Sequence, residues 1–470
     1  MKGNPGIFKA YDIRGVWNKE MFPEDVYEIG LAMGTFFKEK GASTVYVGRD
    51  NRIHGEEIKE NFVKGLLETG MNVVFLGIIT TPMSYATWYL RNAEASVSIT
   101  ASHNPSEYNG FKAAFNKVHF STAEYEAIRD LVLNQEHKKA DRKGEYSEDD
   151  LWPDYFERTT RDIKLGKKVK VVLDCGNGTC SEHTEKILEK IGCEVIKMYC
   201  DHDGSFPNHP PYPQKEDFYL ELGQKIKEEN ADMGIAMDGD GDRFGVYDES
   251  GKFVSNDLIG ALIGTGMIAE HSDLKAAFNI STSRVAIDQL EQAGAKVHLC
   301  KTGYPFVIAK MKEVGALLGN EIAGHFFLKD KYYGFDDASY AAARFVEFFS
   351  KQNKTVSQLV ASMPNYVSTP EFRVPCADEE DNNKFTIIKS IIDKFRKEFA
   401  DAEIMDIDGV RVTFPDHSWF LIRNSNTEAL ITGRVEAKTS ERLEELKSLV
   451  KQTLADRGVD LDWSNPIASH

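Results

Sequence analysis

Asp238-Gly239-Asp240-Gly241-Asp242 sets three carboxylates at alternate positions, with Arg243 directly after them. Glycines between them let a tight loop turn all three inward, where bare carboxylates repel one another and a divalent cation relieves the repulsion. Mg²⁺ suits such a loop when the site is shared with phosphate, because it keeps few protein ligands and takes phosphate oxygens. An EF-hand is one competing pattern, with Asp238, Asp240, Asp242 and Glu249 at ligand positions. It fails because Arg243 stands where that loop needs glycine, and because the flanks read as strands. A solvated acidic turn is the other, and three carboxylates directly after an apolar strand weigh against it. A second stretch, Thr100-Ala101-Ser102-His103-Asn104-Pro105, follows the alternating apolar residues Ala95, Val97 and Ile99. Asn104-Pro105 ends that strand, since proline lacks an N–H and biases its predecessor away from helix. Ser102 and His103 then sit at a strand's C-terminal lip, where open α/β sheets bind ligands.

Three further stretches carry usable chemistry. Arg423-Asn424-Ser425-Asn426-Thr427 joins a guanidinium fork to two hydroxyls and an amide, a set that fits a phosphate dianion and equally a polar turn. Glu321 and His325 lie four apart among small residues, as a carboxylate offered to sugar hydroxyls or as one side of a salt bridge. Lys112, after Asn109-Gly110-Phe111, is expected to bring the nearest amine to Ser102, although a single lysine is commonly a surface residue.

These loops need elements to hold them, and the chain supplies one arrangement three times. An apolar strand leads to an amphipathic helix, a glycine ends it, a second strand follows, and a third strand runs into an unusual loop. The first copy starts at Val45–Asp50, has a helix with Ile58, Phe62, Val63, Leu66 and Leu67 on one face, and ends at Ser102. The second starts at Lys170–Gly178 and ends at the aspartate loop; the third starts at Ala276 and ends at Glu321–His325. Helices between β-rich runs imply parallel or mixed sheets with crossovers. From about Ser368 the pattern becomes a helix near 382–399, grouped short strands and a helix near 440–454, a smaller α+β unit. Expected boundaries are 1–152, 153–254, 255–366 and 367–470, with linkers near 150–154 and 363–369.

Composition narrows the function. The 470 residues carry a net charge of −17, which argues against nonspecific binding to nucleic acid or anionic membrane. No apolar run reaches the ~20 residues of a membrane span, and no secretory segment is visible at the N-terminus, so cytoplasm is the default. Six cysteines show no paired spacing, which argues against zinc and against a disulfide framework.

The loops in this order resemble the α-D-phosphohexomutase family, the phosphomannomutase/phosphoglucomutase enzymes. YDIRG, TASHNP with NGFK, DCGNG, DGDGDR, KTG before GNEIAGH, and RNSNTE carry the likeness across nearly the whole chain. It implies three homologous α/β domains and a smaller fourth around a central cleft. It also implies that Ser102 is a phosphoserine that gives and takes a phosphoryl group, and that it binds one Mg²⁺ with Asp238, Asp240 and Asp242. Arg423, Ser425, Asn426 and Thr427 would hold the non-reacting phosphate, and Glu321 the sugar hydroxyls. Lys112, Arg14, Tyr11, His103, Arg243 and His325 would line the reacting centre, with Lys301 and Tyr304 of the KTGY stretch contacting substrate. The implied reaction interconverts hexose 6-phosphate and hexose 1-phosphate through a hexose 1,6-bisphosphate that also serves as activator, in a monomer or small homo-oligomer.

Departures from the family pattern bear on the sugar. Ala323 stands where relatives carry serine, a lost hydroxyl contact worth about 0.5–1.5 kcal/mol. Tyr304 stands in place of a histidine, Lys9 of an arginine, Ala429 of a proline and Thr432 of an arginine. Ile322 replaces the glutamine typical of phosphoglucosamine mutases, which ranks that alternative below a mannose or glucose mutase. A non-catalytic sugar-phosphate-binding relative and a calcium-binding protein are the remaining alternatives.

Overall fold

The computed structural model describes residues 1–376, 383–425 and 430–464. Its chain divides into two compact units, Met1–Ile259 with Ala323–Gln358, and Gly260–Ile322 with Leu359–His470.

The first unit holds two sheets of one design. In the first sheet Thr44–Arg49 lies between Asn72–Ile78 and Ala95–Ile99, parallel to both. Ala95–Ile99 then passes through the serine loop and returns antiparallel as Tyr108–Phe115, against which Ile13–Val16 adds an outer strand. In the second sheet Lys170–Asp174 lies between Glu194–Met198 and Met233–Met237, again parallel to both. Met233–Met237 passes through the aspartate loop and returns antiparallel as Phe244–Tyr247. The two chemical loops therefore leave their sheets at equivalent points, after a third strand that is buried on every residue. Met233–Met237 reads as a continuous apolar run because both its faces are covered, whereas Ala95–Ile99 alternates its apolar residues with the buried serines Ser96 and Ser98. Helix Gly55–Glu68 seats Ile58, Phe62, Val63 and Leu66 on the first sheet beside Val45, Val47, Val73 and Val97. Gly70, at φ +78°, turns the chain out of that helix in the left-handed conformation that glycine adopts without steric cost.

In the second unit Lys275–Asn279 lies between Lys296–Cys300 and Leu318–Asn320, parallel to both, so the same three-strand plan recurs. The C-terminal part is an antiparallel sheet ordered Val367–Ser368, Leu430–Ala437, Trp419–Asn424, Val410–Thr413, Glu403–Met405, with Phe372–Pro375 also on Leu430–Ala437. Helices Lys384–Glu398 and Ser440–Ala455 bury Ile387, Ile391, Phe395, Leu446 and Val450 against Val412, Phe420 and Ile422. The mixed α/β sheets and the smaller α+β part are those expected from the pattern of elements. The stretch expected as a linker at 150–154 is ordered, since Arg91 holds Asp149 and Asp154 at 2.6 and 2.7 Å and a helix, Trp152–Thr160, begins within it. Arg423 lies near the end of the strand Trp419–Asn424, paired with Thr432. Among the described residues no helix is long and apolar enough to cross a membrane.

Candidate active site

Ser102 is fully buried and left-handed, at φ +51°. A non-glycine residue there is strained and persists only where its surroundings fix it. Its N–H donates to Thr100 Oγ1 at 2.9 Å, and its Oγ donates to Asp238 Oδ2 at 2.9 Å, with His103 Nδ1 at 3.3 Å. The serine and aspartate loops, 136 residues apart, thus meet through one hydrogen bond. Glycine at 239 permits the approach, because a Cβ there would stand 2.5 Å from the Ser102 carbonyl oxygen.

The three carboxylates are all buried and their oxygens converge within 4.8 Å of one another. Asp238 Oδ1 accepts the N–H groups of Gly241 and Arg243 at 2.9 and 3.2 Å, which folds the loop back on itself. Asp240 Oδ2 accepts from Thr81 Oγ1 at 2.6 Å, Thr100 Oγ1 at 3.2 Å and Lys112 Nζ at 2.7 Å. Lys112 also donates to Asp242 Oδ2. Burial opposes the Lys112 charge, but Asp240 and Asp242 outweigh it and push the ammonium pKa up. Burial, then repulsion from Asp242 and Asp240, pushes Asp238 well up. Asp242 falls despite burial, because Lys112, His325 and Arg243 surround it.

The cluster fits a divalent cation. Asp240 Oδ1 and Asp242 Oδ1 are buried without a hydrogen-bond partner, and an all-oxygen donor set suits Mg²⁺. A cation would also offset the repulsion from Asp242 and Asp240 that adds to the effect of burial on Asp238.

Arg243 Nε donates to His325 Nε2 at 2.8 Å, and His325 Nδ1 lies 2.8 Å from Asp336 Oδ2. Arg14 donates to Asn104 Oδ1 at 2.7 Å and to Asp12 Oδ2 at 2.5 Å, which sets it beside the serine loop. His103 packs on Tyr212 with ring centroids 4.7 Å apart; burial, then Arg243 and Arg14, pushes its pKa well down. Tyr11 is half-buried two residues before the strand Ile13–Val16.

In the second unit Glu321 is buried and its Oε1 accepts the Gly303 N–H at 2.6 Å, which ties the expected sugar loop to the KTGY turn. Tyr304 is buried at the start of the helix Tyr304–Val314, while Lys301 is exposed with its amine 5.7 Å from the Phe306 ring centroid. Arg423 Nε and the Thr302 N–H both donate to Asp408 Oδ2 at 3.1 Å, so one carboxylate holds the expected phosphate arginine and the KTGY turn together. Ser425 donates its N–H to Leu430 O and its carbonyl accepts from Lys384 Nζ, each at 2.9 Å. Asn426 and Thr427 lie outside the described residues.

Sequence reading missed Thr81, Thr100, Asp336, Asp408 and above all Arg52. Thr81-Pro82 opens a helix, and its hydroxyl reaches Asp240 only through the fold. Asp50-Asn51-Arg52 after a buried strand was the available signal for Arg52, because three polar residues there must find partners.

Family profiles match in four consecutive pieces: phosphoglucomutase/phosphomannomutase alpha/beta/alpha domain I over residues 5–139, domain II over 153–251, domain III over 255–366 and the C-terminal domain over 371–452. A phosphomannomutase/phosphoglucomutase of Pseudomonas putida is 37% identical over 454 residues, covering 95% of each chain. A phosphoglucomutase of Neisseria gonorrhoeae is 34% identical, covering 95% of this chain and 96% of its own. The crystal structure of a phosphoglucomutase/phosphomannomutase family protein from Burkholderia thailandensis superposes with a TM-score of 0.89 at 32% identity, covering 97% and 98%.

Proposed function

The chain belongs to the phosphoglucomutase/phosphomannomutase family and is an intramolecular phosphotransferase, and on that premise we propose that it interconverts hexose 6-phosphate and hexose 1-phosphate through phosphorylated Ser102. The observation that supports this reading is the 2.9 Å bond from Ser102 Oγ to Asp238, one of three buried carboxylates whose oxygens converge. Phosphoserine at 102 gives its phosphoryl group to the free hydroxyl of the bound sugar phosphate, forming a hexose 1,6-bisphosphate and leaving the serine hydroxyl. The bisphosphate turns end for end, and Ser102 takes back the phosphoryl group from the other position. A phosphoryl group carries nearly two negative charges, so its transfer asks for positioning and charge neutralisation more than covalent activation.

Lys112, Arg243 and Arg14 supply fixed positive charge at the serine and aspartate loops. Mg²⁺ held by Asp238, Asp240 and Asp242 would polarise a phosphoryl oxygen when bound. Lys112, paired with Asp240 and Asp242, is the candidate general acid or base for the sugar hydroxyl, and His325 presents its Nε2 edge to Arg243. Arg423 and Ser425, with Asn426 and Thr427, anchor the non-reacting phosphate, while Glu321 takes sugar hydroxyls. The mannose and glucose names of the relatives favour those two sugars over glucosamine.

The test is direct. Incubation with glucose 1,6-bisphosphate should add one phosphoryl group, located at Ser102 by peptide mass analysis. Ser102→Ala should neither take the label nor turn over mannose 1-phosphate or glucose 1-phosphate, while its circular dichroism stays that of the parent. Turnover retained in Ser102→Ala would defeat the assignment, and turnover of glucosamine 1-phosphate above both other sugars would overturn the sugar class.

A further inference from the structure

The serine loop holds a strained conformation, with Ser102 at φ +51°, and one buried side chain holds four of its carbonyls. All five N–H groups of Arg52 have acceptors. Nε donates to Asp50 Oδ2 at 3.1 Å. Nη1 donates to the carbonyls of Pro105 and Tyr108 at 2.5 and 3.1 Å, and Nη2 to those of Ser102 and Asn104 at 2.9 and 2.6 Å. Four of the five acceptors are therefore backbone oxygens of residues 102–108, and one belongs to Ser102 itself. The guanidinium is covered on one side by the Phe206 ring, 5.1 Å from its carbon, and the Arg52 side chain is fully shielded from solvent. Gly204 allows the covering turn to come this close, since a Cβ there would stand 2.6 Å from Arg52 Cα. Asp50 also accepts the Arg52 N–H at 3.1 Å, so the carboxylate aims the backbone and the fork together.

We propose that Arg52 is a positioning residue for phosphoryl transfer: by clamping four carbonyls of the serine loop it holds Ser102 at φ +51° with its oxygen toward the aspartate cluster, and so decides whether the phosphoryl group goes to sugar or to water. The inference rests on the reading of Ser102 as phosphoryl carrier. Transfer to a sugar hydroxyl needs the phosphorus in line with a second fixed reactant, whereas water arrives from any open direction. A loosened serine loop thus slows transfer more than hydrolysis. Hydrolysis here is attack of one water on the phosphoserine, which releases inorganic phosphate and returns the serine hydroxyl. Arginine is required because its planar fork carries five fixed donors, whereas a lysine ammonium has three on a flexible stem. Arg52 touches neither the sugar nor the phosphoryl group in this scheme, so substrate affinity should be unaffected.

Arg52→Lys and the parent enzyme would be compared for mannose 1-phosphate turnover, with glucose 1,6-bisphosphate as activator, and for inorganic phosphate released from the phosphorylated enzyme. The expected result is a kcat at least tenfold lower, a KM within twofold of the parent, and at least threefold more phosphate released per turnover. A folded Arg52→Lys enzyme with parental kcat and parental phosphate release overturns the proposal. Should Arg52→Lys fail to fold by circular dichroism, Asp50→Asn decides, since it keeps the guanidinium and loses only the charge that aims it. A three- to tenfold lower kcat with unchanged KM then supports the clamp, and a parental kcat overturns it. If the parent enzyme takes no label on Ser102, the phosphoserine reading has failed. If the parent is labelled and the Arg52 and Asp50 variants behave as it does, only this inference has.

Discussion

Asp240 divides its two oxygens between structure and ligand. Oδ2 is saturated by Thr81, Thr100 and Lys112, while Oδ1 is buried without a hydrogen-bond partner. Asp240→Asn keeps the shape and the three-donor acceptor, but it turns an amide NH₂ toward the place where a cation would bind and removes its charge. The expected loss is on the order of 10²–10³ in kcat, typical of removing one electrostatic stabiliser, with the Mg²⁺ concentration for half-maximal activity raised at least tenfold. A Mg²⁺ titration of activity checks this, and an unshifted titration would take Asp240 out of the metal site. Residues of this kind are legible in sequence because carboxylates, glycines and a serine crowd into short windows whose chemistry is local. For Arg52 only the polar run Asp50-Asn51-Arg52 showed that partners were needed, not which ones. Four of its five acceptors are carbonyls at least 50 residues away, and a carbonyl leaves no mark in a sequence.

Each three-strand repeat exposes its loop at the same topological point, so the encounter of two loops is decided by how closely their backbones can pass. Gly239 sets that limit. A methyl group there would meet the Ser102 carbonyl oxygen at 2.5 Å, and backbone cannot swing aside as a flexible side chain can. Gly239→Ala should therefore separate the serine and aspartate loops, with turnover falling at least 10²-fold on the scale that a 1 Å misplacement costs. Stability should fall by about 1–3 kcal/mol, the usual penalty of overpacking. Activity assays beside urea unfolding check both, and a full-rate Gly239→Ala enzyme would show that the loops tolerate separation. At this scale the sequence was readable where elements are two-faced. Helix Gly55–Glu68 announced itself by an apolar stripe, and the helices Lys384–Glu398 and Ser440–Ala455 by apolar and charged alternation. Thr81–Leu90 and Ala338–Ser350 carried no such signal because they are buried nearly all round, which erases the periodicity that separates a helix from a buried strand. Arg423 was legible as the end of a strand because the apolar run Trp419–Ile422 leads into it, and its backbone pairs with Thr432 in the ladder.

Over the whole chain, the recurring strand plan was visible in order and spacing, but the grouping of its parts was not. Residues Ala323–Gln358 belong with the first unit although the chain reaches them through the second. The cause is tertiary: Ser339 Oγ lies 2.7 Å from Thr184 Oγ1, and Tyr155 donates to Asp337 at 2.9 Å, contacts between residues more than 150 apart. The same long-range packing makes stability depend on pH in a direction that can be worked out. His119, buried against Tyr85 and Trp88 with ring centroids 4.3 and 5.2 Å away, is pushed down to about 4, by burial first and with Asp336 opposing. The unfolded chain binds that proton near pH 6.5, and the folded one refuses it until about pH 4. This contribution to stability is therefore complete above pH 6.5 and is lost as pH falls toward 4, by about 3 kcal/mol in all at ~1.4 kcal/mol per pH unit. His119→Phe keeps an aromatic ring between Tyr85 and Trp88 and removes the titration. Carboxylates elsewhere titrate equally in both proteins, so the difference between their urea midpoints isolates this one site. Between pH 7 and pH 5 the parent should lose more stability than His119→Phe by about 2 kcal/mol, and parallel pH profiles would mean that the folded chain accepts the proton at His119 as readily as the unfolded one.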